Sequence, residues 1–282
     1  MNTSGGSPDD LLVRSRSALL DALEALEEQR EAVVVIGAQA VYLRTGGIDV
    51  ALAEATKDSD VTIDPRLLRD LPLLEEAMRR AGFNPSGQPG AWVSPDGIPV
   101  DLMVPEQLSA GGGRRSARIA PHGKGAARKA HGLEACVVDY SEIEIAALDS
   151  ADSRRMTAKV AGTAALLVAK LHKIAERISE PNRLNDKDAH DIYRILRATE
   201  TEEILEALLK LLDHDLSRVV TTEALAHLSE HFAAGPQALG SMMAGRAEEG
   251  VGDPDQVAVA TAFLSEDLIA AVTRSGHSIE RS

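Results

Sequence analysis

A short stretch that runs from an apolar strand through a glycine into a helix constrains the fold of this chain most strongly. Val33–Ile36 is a run of four β-branched apolar residues, which is typical of a buried strand. Gly37 follows directly, and the pattern over Ala38–Leu43 predicts a helix that ends before Gly46 and Gly47. Because the first N–H groups of a helix have no partner within the helix, this junction presents N–H donors to an anion.

Aspartates follow on the next predicted strands. Asp58 and Asp60 stand two residues apart, so a strand places both carboxylates on one face. Asp101 interrupts the apolar stretch Ile98–Val104, which the turn at Pro95-Asp96-Gly97 predicts to be the second arm of a hairpin. Asp101 is either a residue on the solvated face of an edge strand or a third carboxylate that faces the first two. Three carboxylates on neighbouring strands can hold two Mg²⁺ ions, which suits in-line displacement at phosphorus.

Composition excludes several classes of protein. Hydrophobic residues make up 44% of the 282 residues, and the net charge of −14 argues against a protein wholly devoted to coating nucleic acid. Cys136 is the single cysteine, so we predict a small buried hydrophobe, no internal disulfide and a reducing compartment. His172 and His190 are predicted to be packing or surface residues, because no second His or Cys is spaced for a metal.

Neither a secretory signal nor a membrane span is predicted. The N-terminus lacks the basic-then-apolar pattern of a signal peptide. The longest apolar runs fall short of the roughly 20 residues that a membrane span requires. We therefore expect a cytoplasmic protein with no membrane contact.

The periodicity divides the chain into two parts. Before residue 150, helices are predicted at Leu11–Gln29 and Arg66–Ala81, and short strands at Ala135–Tyr140 and Ile143–Leu148. From Thr157 onward the periodicity is helical. The helices predicted there are Thr157–Arg177, Lys187–Arg197, Glu202–Asp213, Thr222–Phe232 and Asp255–Thr273. We therefore predict an α/β domain over residues 1–150 and a helical domain over residues 151–282.

A basic segment interrupts the acidic chain. Gln107–Leu133 contains no Asp or Glu. Its basic residues are Arg114, Arg115, Arg118, Lys124, Arg128 and Lys129. It is not a nucleotide-binding P-loop, because Gly125 rather than Ser or Thr follows Gly123-Lys124. Two compatible interpretations are a disordered surface loop and a mobile basic arm that binds the phosphates of an RNA acceptor. The RNA-binding residues of such an arm would be Arg114, Arg115 and Arg118.

The order of these motifs resembles the nucleotidyltransferase superfamily related to DNA polymerase β. The matching features are the strand–Gly37–helix junction, the Thr56-x-Asp58-x-Asp60 motif and Asp101 in a later strand. The resemblance implies an α+β fold, in which an N-terminal α/β domain with a mixed sheet precedes a C-terminal helical domain.

A later segment narrows the resemblance. Lys170 and Arg177 lie in the sequence KLHKIAER, and Lys187–Asp191 follows with the sequence KDAHD. A helix with this Lys and Arg, followed by a KDxxD helix, resembles the AbiEii and MenT-type toxin nucleotidyltransferases. The resemblance covers Val33–Leu196.

The resemblance implies a role for each matched residue. The catalytic and metal-binding residues would be Asp58, Asp60 and Asp101. The nucleotide-binding residues would be Gly37, Ala38, Lys170, Arg177, Asp188 and Asp191. The implied metal is Mg²⁺ or Mn²⁺, Asp101 would also orient the acceptor hydroxyl, and Lys170 would bind the triphosphate. Which of Asp188 and Asp191 faces the site is open.

These residues predict an enzyme that transfers a nucleoside monophosphate from an NTP to an acceptor hydroxyl, with loss of pyrophosphate. The toxin relatives imply the 3′ end of an RNA, with tRNA as the first choice, as the acceptor and allow a cognate antitoxin. A second interpretation is a catalytically silent nucleotidyltransferase fold that binds nucleotide or RNA. Ala38 stands where the family has Gly or Ser, and Glu54 stands where it often has Arg, which keeps this interpretation open. A third is transfer to a small molecule or a protein.

The helical residues also have structural interpretations. Lys170, Lys173 and Arg177 could form a solvated face. Lys173 and Arg177 are then a like-charge pair at i,i+4, which is mildly unfavourable and favours a phosphate partner. Asp188 and Asp191 could simply occupy the first turn of a helix, where the helix dipole favours acids.

Overall fold

The computed structural model describes residues 8–46, 59–111 and 115–276, and it has the predicted α+β architecture. The described residues form two compact units. The first unit contains residues 8–40, 59–111, 115–130 and 140–161, and it carries the sheet. The second unit contains residues 41–46, 131–139 and 162–276, and it is helical.

The first unit is built on one mixed sheet of eight strands. These strands are β1 (Val33–Ile36), β2 (Ser59–Ile63), β3 (Asn84–Pro85), β4 (Ala91–Val93), β5 (Pro99–Pro105), β6 (Arg128–Ala130), β7 (Tyr140–Ala146) and β8 (Arg155–Ala161). The order is β3-β4-β5-β2-β1-β8-β7, and β6 pairs with β5 outside this path. The pairs β2/β5, β1/β8 and β5/β6 are parallel, whereas β1/β2, β3/β4, β4/β5 and β7/β8 are antiparallel.

The apolar run of β1 reflects its place within the sheet. β2 and β8 flank it on its two sides, and all four of its side chains are buried. Helix α1 (Pro8–Ala25) covers part of the sheet through buried leucines such as Leu19 and Leu20. The predicted hairpin is confirmed, because β4 pairs with β5 across the turn at Pro95-Asp96-Gly97.

The described residues contain eight further α-helices. They are α2 (Gly37–Thr45), α3 (Leu74–Arg80), α4 (Thr163–Arg177), α5 (Asp186–Ala198), α6 (Thr201–Asp213), α7 (Arg218–His231), α8 (Leu239–Arg246) and α9 (Pro254–Arg274). Helices α5, α6, α7 and α9 lie close to their predicted positions. Helix α8, which contains two glycines and a serine, was not predicted from the sequence.

Two predicted elements before α4 are wrong. The helix predicted at Arg66–Ala81 is confined to α3, because Pro72 cannot continue a helix and disfavours helical geometry in the residue before it. The side chain of Asp64 instead accepts a hydrogen bond from the N–H of Arg66 at 3.0 Å, which turns the chain. The strand predicted at Ala135–Tyr140 is a buried 3₁₀ turn, and β7 begins only at its last residue.

The helix predicted at Thr157–Arg177 begins too early. Residues 155–161 form β8, which pairs along its whole length with β7, and α4 begins at Thr163 after Gly162. In a short segment of mixed polarity, the period of the hydrophobic residues does not distinguish a strand from a helix. Here the pairing with β7 makes the segment a strand. The predicted domain boundary near residue 150 falls between β7 and β8, and both strands belong to the first unit.

Helix α9 is the one described helix that is long and apolar enough to cross a membrane, by length and composition. The sequence prediction concerned continuous apolar runs, and α9 does not contradict it, because Glu266 and Asp267 interrupt its apolar residues. Helix α9 meets only the length and composition criteria of a span. This is weak evidence for a membrane span, because the core helix of a globular protein passes the same test. Its residues Val257, Ala262, Leu268 and Val272 are buried, and it packs against other helices of the second unit.

Candidate functional site

Two of the three predicted metal ligands lie side by side in the sheet of the first unit. Asp60 of β2 and Asp101 of β5 are register partners in a parallel pair. Such partners project to the same face of a sheet, from strands about 4.8 Å apart. The edge-strand interpretation of Asp101 is wrong, because β5 pairs with β2 on one side and with β4 and β6 on the other.

The third predicted ligand, Asp58, lies outside the described residues, as do Thr56 and Glu54. The register nevertheless explains why the sequence pattern contains an aspartate within each of two apolar strands. The two carboxylates are neighbours on one face, and both residues are partly exposed at this level of the sheet.

The backbone of Gly37 lies close to the pair of Asp60 and Asp101. It has a φ of +70°, a conformation that favours glycine, and α2 begins at this residue. A Cβ at Gly37 would overlap the carboxylate of Asp60 and lie 3.0 Å from the Cβ of Asp60. Ala38, the next residue, is buried in the first turn of α2. The carboxylate of Asp60 therefore lies directly against the start of a helix.

Arg128 is a site residue that the sequence analysis grouped with the basic segment. One of its terminal nitrogens, Nη2, lies 2.8 Å from Oδ2 of Asp101, and both side chains are partly exposed. Arg128 begins β6, which pairs with β5 in parallel. No local sequence signal distinguishes Arg128 from the other basic residues, since only this pairing brings it to Asp101.

The rest of the described basic segment packs on the first unit. Ala117, Ala126 and Ala127 are buried, and the indole N–H of Trp92 donates to the carbonyl oxygen of Ala126 at 3.1 Å. Residues 115–130 are therefore attached to the sheet, in contrast to the predicted disordered loop or mobile arm. The side chains of Arg115 and Arg118 are exposed, whereas Arg114 lies outside the described residues.

A buried polar network holds the first turn of α2 against α1. Arg16 donates from Nε to the amide oxygen of Gln39 at 2.8 Å, and Gln39 donates from Nε2 to the hydroxyl of Ser15 at 2.8 Å. The hydroxyl of Ser59, beside Asp60, donates to the carbonyl oxygen of Ser15 at 2.8 Å. Burial lowers the pKa of Arg16. This network was not predicted from the sequence, although an arginine among the apolar positions of α1 was a signal.

The second unit contains a charge cluster built from α4 and α5. The ammonium nitrogen of Lys170 lies 2.9 Å from Oδ1 of Asp188 and 2.6 Å from Oδ2 of Asp191. All three side chains are buried. Burial alone would lower the pKa of Lys170, but the two carboxylates raise it overall. Lys170 is therefore a buried ion-pair residue, and its interpretation as part of a solvated face is wrong.

Asp188 also compensates the two other cations of α4. The ammonium of Lys173 lies 2.8 Å from Oδ1 of Asp188, and Nη1 of Arg177 lies 3.3 Å from Oδ2. Burial alone would raise the pKa of Asp188, but attraction by Lys170 and Lys173 lowers it overall. The like-charge pair of Lys173 and Arg177 thus has a carboxylate partner within the unit, so the pair does not by itself indicate a phosphate.

Both members of the predicted acidic pair belong to this cluster. Asp191 contacts Lys170 through Oδ2, and its other oxygen, Oδ1, is buried without a hydrogen-bond partner among the described residues. The structure thus groups the predicted metal-binding and nucleotide-binding residues by unit. The first unit holds Gly37, Ala38, Asp60 and Asp101, and the second unit holds Lys170, Arg177, Asp188 and Asp191.

The two histidines considered in the sequence differ in their surroundings. His190 pairs with Glu248 at 2.7 Å, and both are buried. His172 has a second imidazole beside it, because its ring centroid is 4.6 Å from that of His131. The prediction rested on spacing along the sequence, which places no second His or Cys for a metal; the structure adds His131 as a spatial neighbour of the buried His172. Spacing could not reveal the pair, since the two residues come from separate segments of the second unit.

Comparison with known proteins does not assign a family. No family model matches the chain, and no curated protein matches it. One solved structure, of a proposed nucleotidyltransferase from H. pylori, aligns over 95% of this chain and 98% of its own. The alignment has a TM-score of 0.36 and 8% sequence identity, so it assigns neither family nor activity to this chain.

Proposed function

We propose that this protein is a metal-dependent nucleotidyltransferase, which moves a nucleoside monophosphate from an NTP to an acceptor hydroxyl. The observation that supports this function best is the register pair of Asp60 and Asp101, with Gly37 at the start of α2 against the carboxylate of Asp60. The pair supplies oxygen ligands, and the start of α2 supplies N–H donors for phosphate oxygens.

The residues present fit a hard divalent cation. Carboxylate oxygens are the ligands that Mg²⁺ and Mn²⁺ prefer, and the missing Cβ of Gly37 leaves the space that the Asp60 carboxylate fills. Asp60 and Asp101 would hold the metal, and we propose Asp58 as a third ligand on the basis of the resemblance. A bound metal would neutralise charge on the triphosphate and lower the pKa of the attacking hydroxyl.

The remaining chemistry concerns the chain's own groups and the substrates. Backbone N–H groups at the start of α2 would donate to phosphate oxygens and hold the α-phosphorus in place. The acceptor oxygen forms a bond to that phosphorus while the bond to the bridging oxygen breaks, and pyrophosphate leaves. We propose that Asp101 orients the acceptor hydroxyl and accepts its proton, because it stands beside Asp60 on the same face.

We propose two different roles for the charge cluster of the second unit in nucleotide binding. Lys170 is buried between carboxylates, so its contribution would be to position Asp188 and Asp191. Lys173 and Arg177 are 37% and 25% exposed, so their charges are accessible to a phosphate. With three cations and two carboxylates, the cluster carries one net positive charge, which favours a triphosphate.

The proposed acceptor is an RNA, with the 3′ end of a tRNA as the first choice. The exposed side chains of Arg115 and Arg118 support it, since both belong to a segment without acidic residues, and Arg114 precedes them in the sequence. A toxin role with a cognate antitoxin, and a cytoplasmic location without membrane contact, are proposed from the resemblance and the composition alone.

Salt dependence of RNA affinity tests this acceptor. Each phosphate that an arginine neutralises releases counterion, so affinity should fall steeply with salt. Replacing Arg115 and Arg118 by alanine should flatten the slope by up to about one unit per lost contact. Equal slopes for the parent and this double variant would exclude the segment from RNA binding, and a small-molecule or protein acceptor would then be favoured.

The transfer reaction is tested directly with NTPs labelled at the α-phosphate, Mg²⁺ and a tRNA acceptor. Asp60→Asn and Asp101→Asn should each lower transfer by at least about 100-fold, since each removes a ligand charge at the reacting phosphate. Asp96→Asn, at an exposed position of the β4–β5 turn, is the matched control. Undiminished transfer by Asp60→Asn would exclude the proposed site.

A second candidate is a catalytically silent fold that binds nucleotide or RNA. The ion pair of Arg128 and Asp101 favours it, because a cation already lies against one proposed metal ligand. Ala38 favours it as well, since it offers no hydroxyl to a phosphate. NTP binding without transfer to any acceptor tested would support this candidate.

A further inference from the structure

A cluster of metal-ligating side chains lies in the second unit, apart from any residue proposed above. His131, His172 and Glu223 each offer one ligand atom, and these atoms lie within 4.8 Å of one another. His131 precedes the 3₁₀ turn at 135–137, His172 lies on α4, and Glu223 lies on α7. Three separate segments therefore converge on one point.

The orientation of His172 is fixed by a hydrogen bond. Its Nε2 lies 2.7 Å from the carbonyl oxygen of Val220, and it must donate its hydrogen because a carbonyl oxygen only accepts. Nδ1 is consequently the nitrogen that carries a lone pair. A backbone carbonyl that holds one nitrogen of an imidazole is the usual support of a metal-binding histidine.

A glycine brings His131 to this ring. Gly132 has a φ of +83°, and a Cβ there would lie 2.6 Å from Cδ2 of His172 and 2.8 Å from its Cβ. Only a glycine allows the backbone to pass so close to the buried imidazole. The preceding residue, His131, then packs edge-on against His172, with the ring centroids 4.6 Å apart.

We propose that His131, His172 and Glu223 form a binding site for a divalent transition metal ion, with Zn²⁺ as the best fit. Two imidazoles and one carboxylate form a ligand set that suits zinc, whereas Mg²⁺ prefers oxygen ligands alone. Three protein ligands leave one position of a tetrahedral zinc for water. This proposal does not depend on the proposed nucleotidyl transfer.

Metal binding requires the side chains to adjust, because the three ligand atoms lie within 4.8 Å of one another and not at one common spacing. Nε2 of His131 and Oε2 of Glu223 are 2.8 Å apart in a hydrogen bond, and the two side chains are 42% and 46% exposed. Ligand atoms around a tetrahedral zinc stand roughly 3.3 Å apart for bonds of about 2.0 Å. Two partly exposed side chains can separate by that margin, while the buried His172 stays in place.

Metal titration of the full chain tests the site. Protein freed of metal by a chelator and returned to chelator-free buffer with excess Mg²⁺ is titrated with Zn²⁺ in a calorimeter. The parent should bind one Zn²⁺ per chain. His131→Ala and Glu223→Gln should each weaken binding by at least about tenfold, since even the loss of a supporting residue around a metal has that effect. His214→Ala, at an exposed position outside the cluster, is the matched control.

Two further measurements separate this site from the carboxylates of the first unit. Asp60→Asn should bind Zn²⁺ as the parent does. Co²⁺ in place of Zn²⁺ should give the visible absorption of a four-coordinate ion, and His131→Ala should lose it. Absence of stoichiometric Zn²⁺ binding by the parent, or equal affinity of the parent and His131→Ala, would overturn the proposal.

Discussion

The carboxylate of Asp60 lies against the Cα of Gly37, in the space that a Cβ would fill. This contact joins the strand β2 to the first residue of α2, and it needs both the missing side chain and the positive φ of Gly37. The aspartate that pairs with Asp101 is thereby held at the start of a helix.

Gly37→Ala should therefore abolish the proposed nucleotide site. An alanine at positive φ costs about 1–2 kcal/mol, and its Cβ would also displace the carboxylate of Asp60. Gly97→Ala is a matched control, because Gly97 has a φ of +80° but no atom lies within 4 Å of an added Cβ. Calorimetric NTP binding with Mg²⁺ should be lost only in Gly37→Ala. Equal NTP affinities of the two variants would show that the contact with Asp60 is irrelevant to binding.

Mg²⁺ together with an NTP should stabilise the parent protein against thermal unfolding. A ligand that binds only the folded state adds about 2.7 kcal/mol at a concentration 100 times its Kd. Asp101→Asn should lose this shift while remaining folded, because it removes a ligand charge and relieves repulsion with Asp60. Asp96→Asn should keep the shift. Thermal scans with each NTP provide the measurement, and a parent protein that no NTP stabilises would contradict the site.

Arg128→Gln should raise the affinity of the protein for Mg²⁺ alone by several-fold. The guanidinium lies 2.8 Å from Asp101, so it opposes a second cation at that carboxylate. Lys129→Gln is the control, because Lys129 pairs with Glu106 at 3.0 Å instead. Calorimetry without nucleotide compares the three proteins. If Arg128→Gln and the parent bind Mg²⁺ equally, the ion pair does not compete with the metal.

Lys170→Met should destabilise the fold by about 3–5 kcal/mol, since it leaves Asp188 and Asp191 buried without their shared cation. Lys173→Met removes the charge of a second lysine, whose side chain is 37% exposed. It should lower the free energy of unfolding by less than about 1 kcal/mol. Urea unfolding of both variants gives the two free energies. A Lys170→Met variant as stable as Lys173→Met would disprove a structural role for Lys170.

The charge cluster of α4 and α5 should also affect how the free energy of unfolding changes at acid pH. The pKa of Asp188 is lowered in the folded state. Ionised Asp188 therefore contributes to the free energy of unfolding above the ordinary carboxyl pKa of about 3.9, and this contribution is lost as the pH falls toward the lowered pKa. The unfolding free energies of the parent and Asp188→Asn should therefore converge only at acid pH. Asp215→Asn, at a position 95% exposed, should follow the parent throughout. A constant difference between the parent and Asp188→Asn down to acid pH would refute this assignment.

Patterns within single elements were readable from the sequence. The β-branched run predicts β1, the glycine after it predicts the junction with α2, and helical periodicity predicts α5, α6 and α9 within a few residues. These features are set by neighbours within one element, so spacing alone reveals them. The two wrong predictions, at Pro72 and at β8, show the limit of prediction from spacing. One overlooked proline shortens a predicted helix, and pairing with a neighbouring strand turns the start of another into a strand.

The sequence by itself determined the mixed pattern of strands and helices, and it drew attention to Asp60, Asp101, Lys170 and Asp188. Only the tertiary structure decided which side chains meet. Parallel register places Asp101 beside Asp60, pairing of β6 with β5 brings Arg128 to Asp101, and packing of separate segments brings His131 to His172. Such contacts depend on the order of the strands and the packing of the helices, which no spacing along the chain encodes.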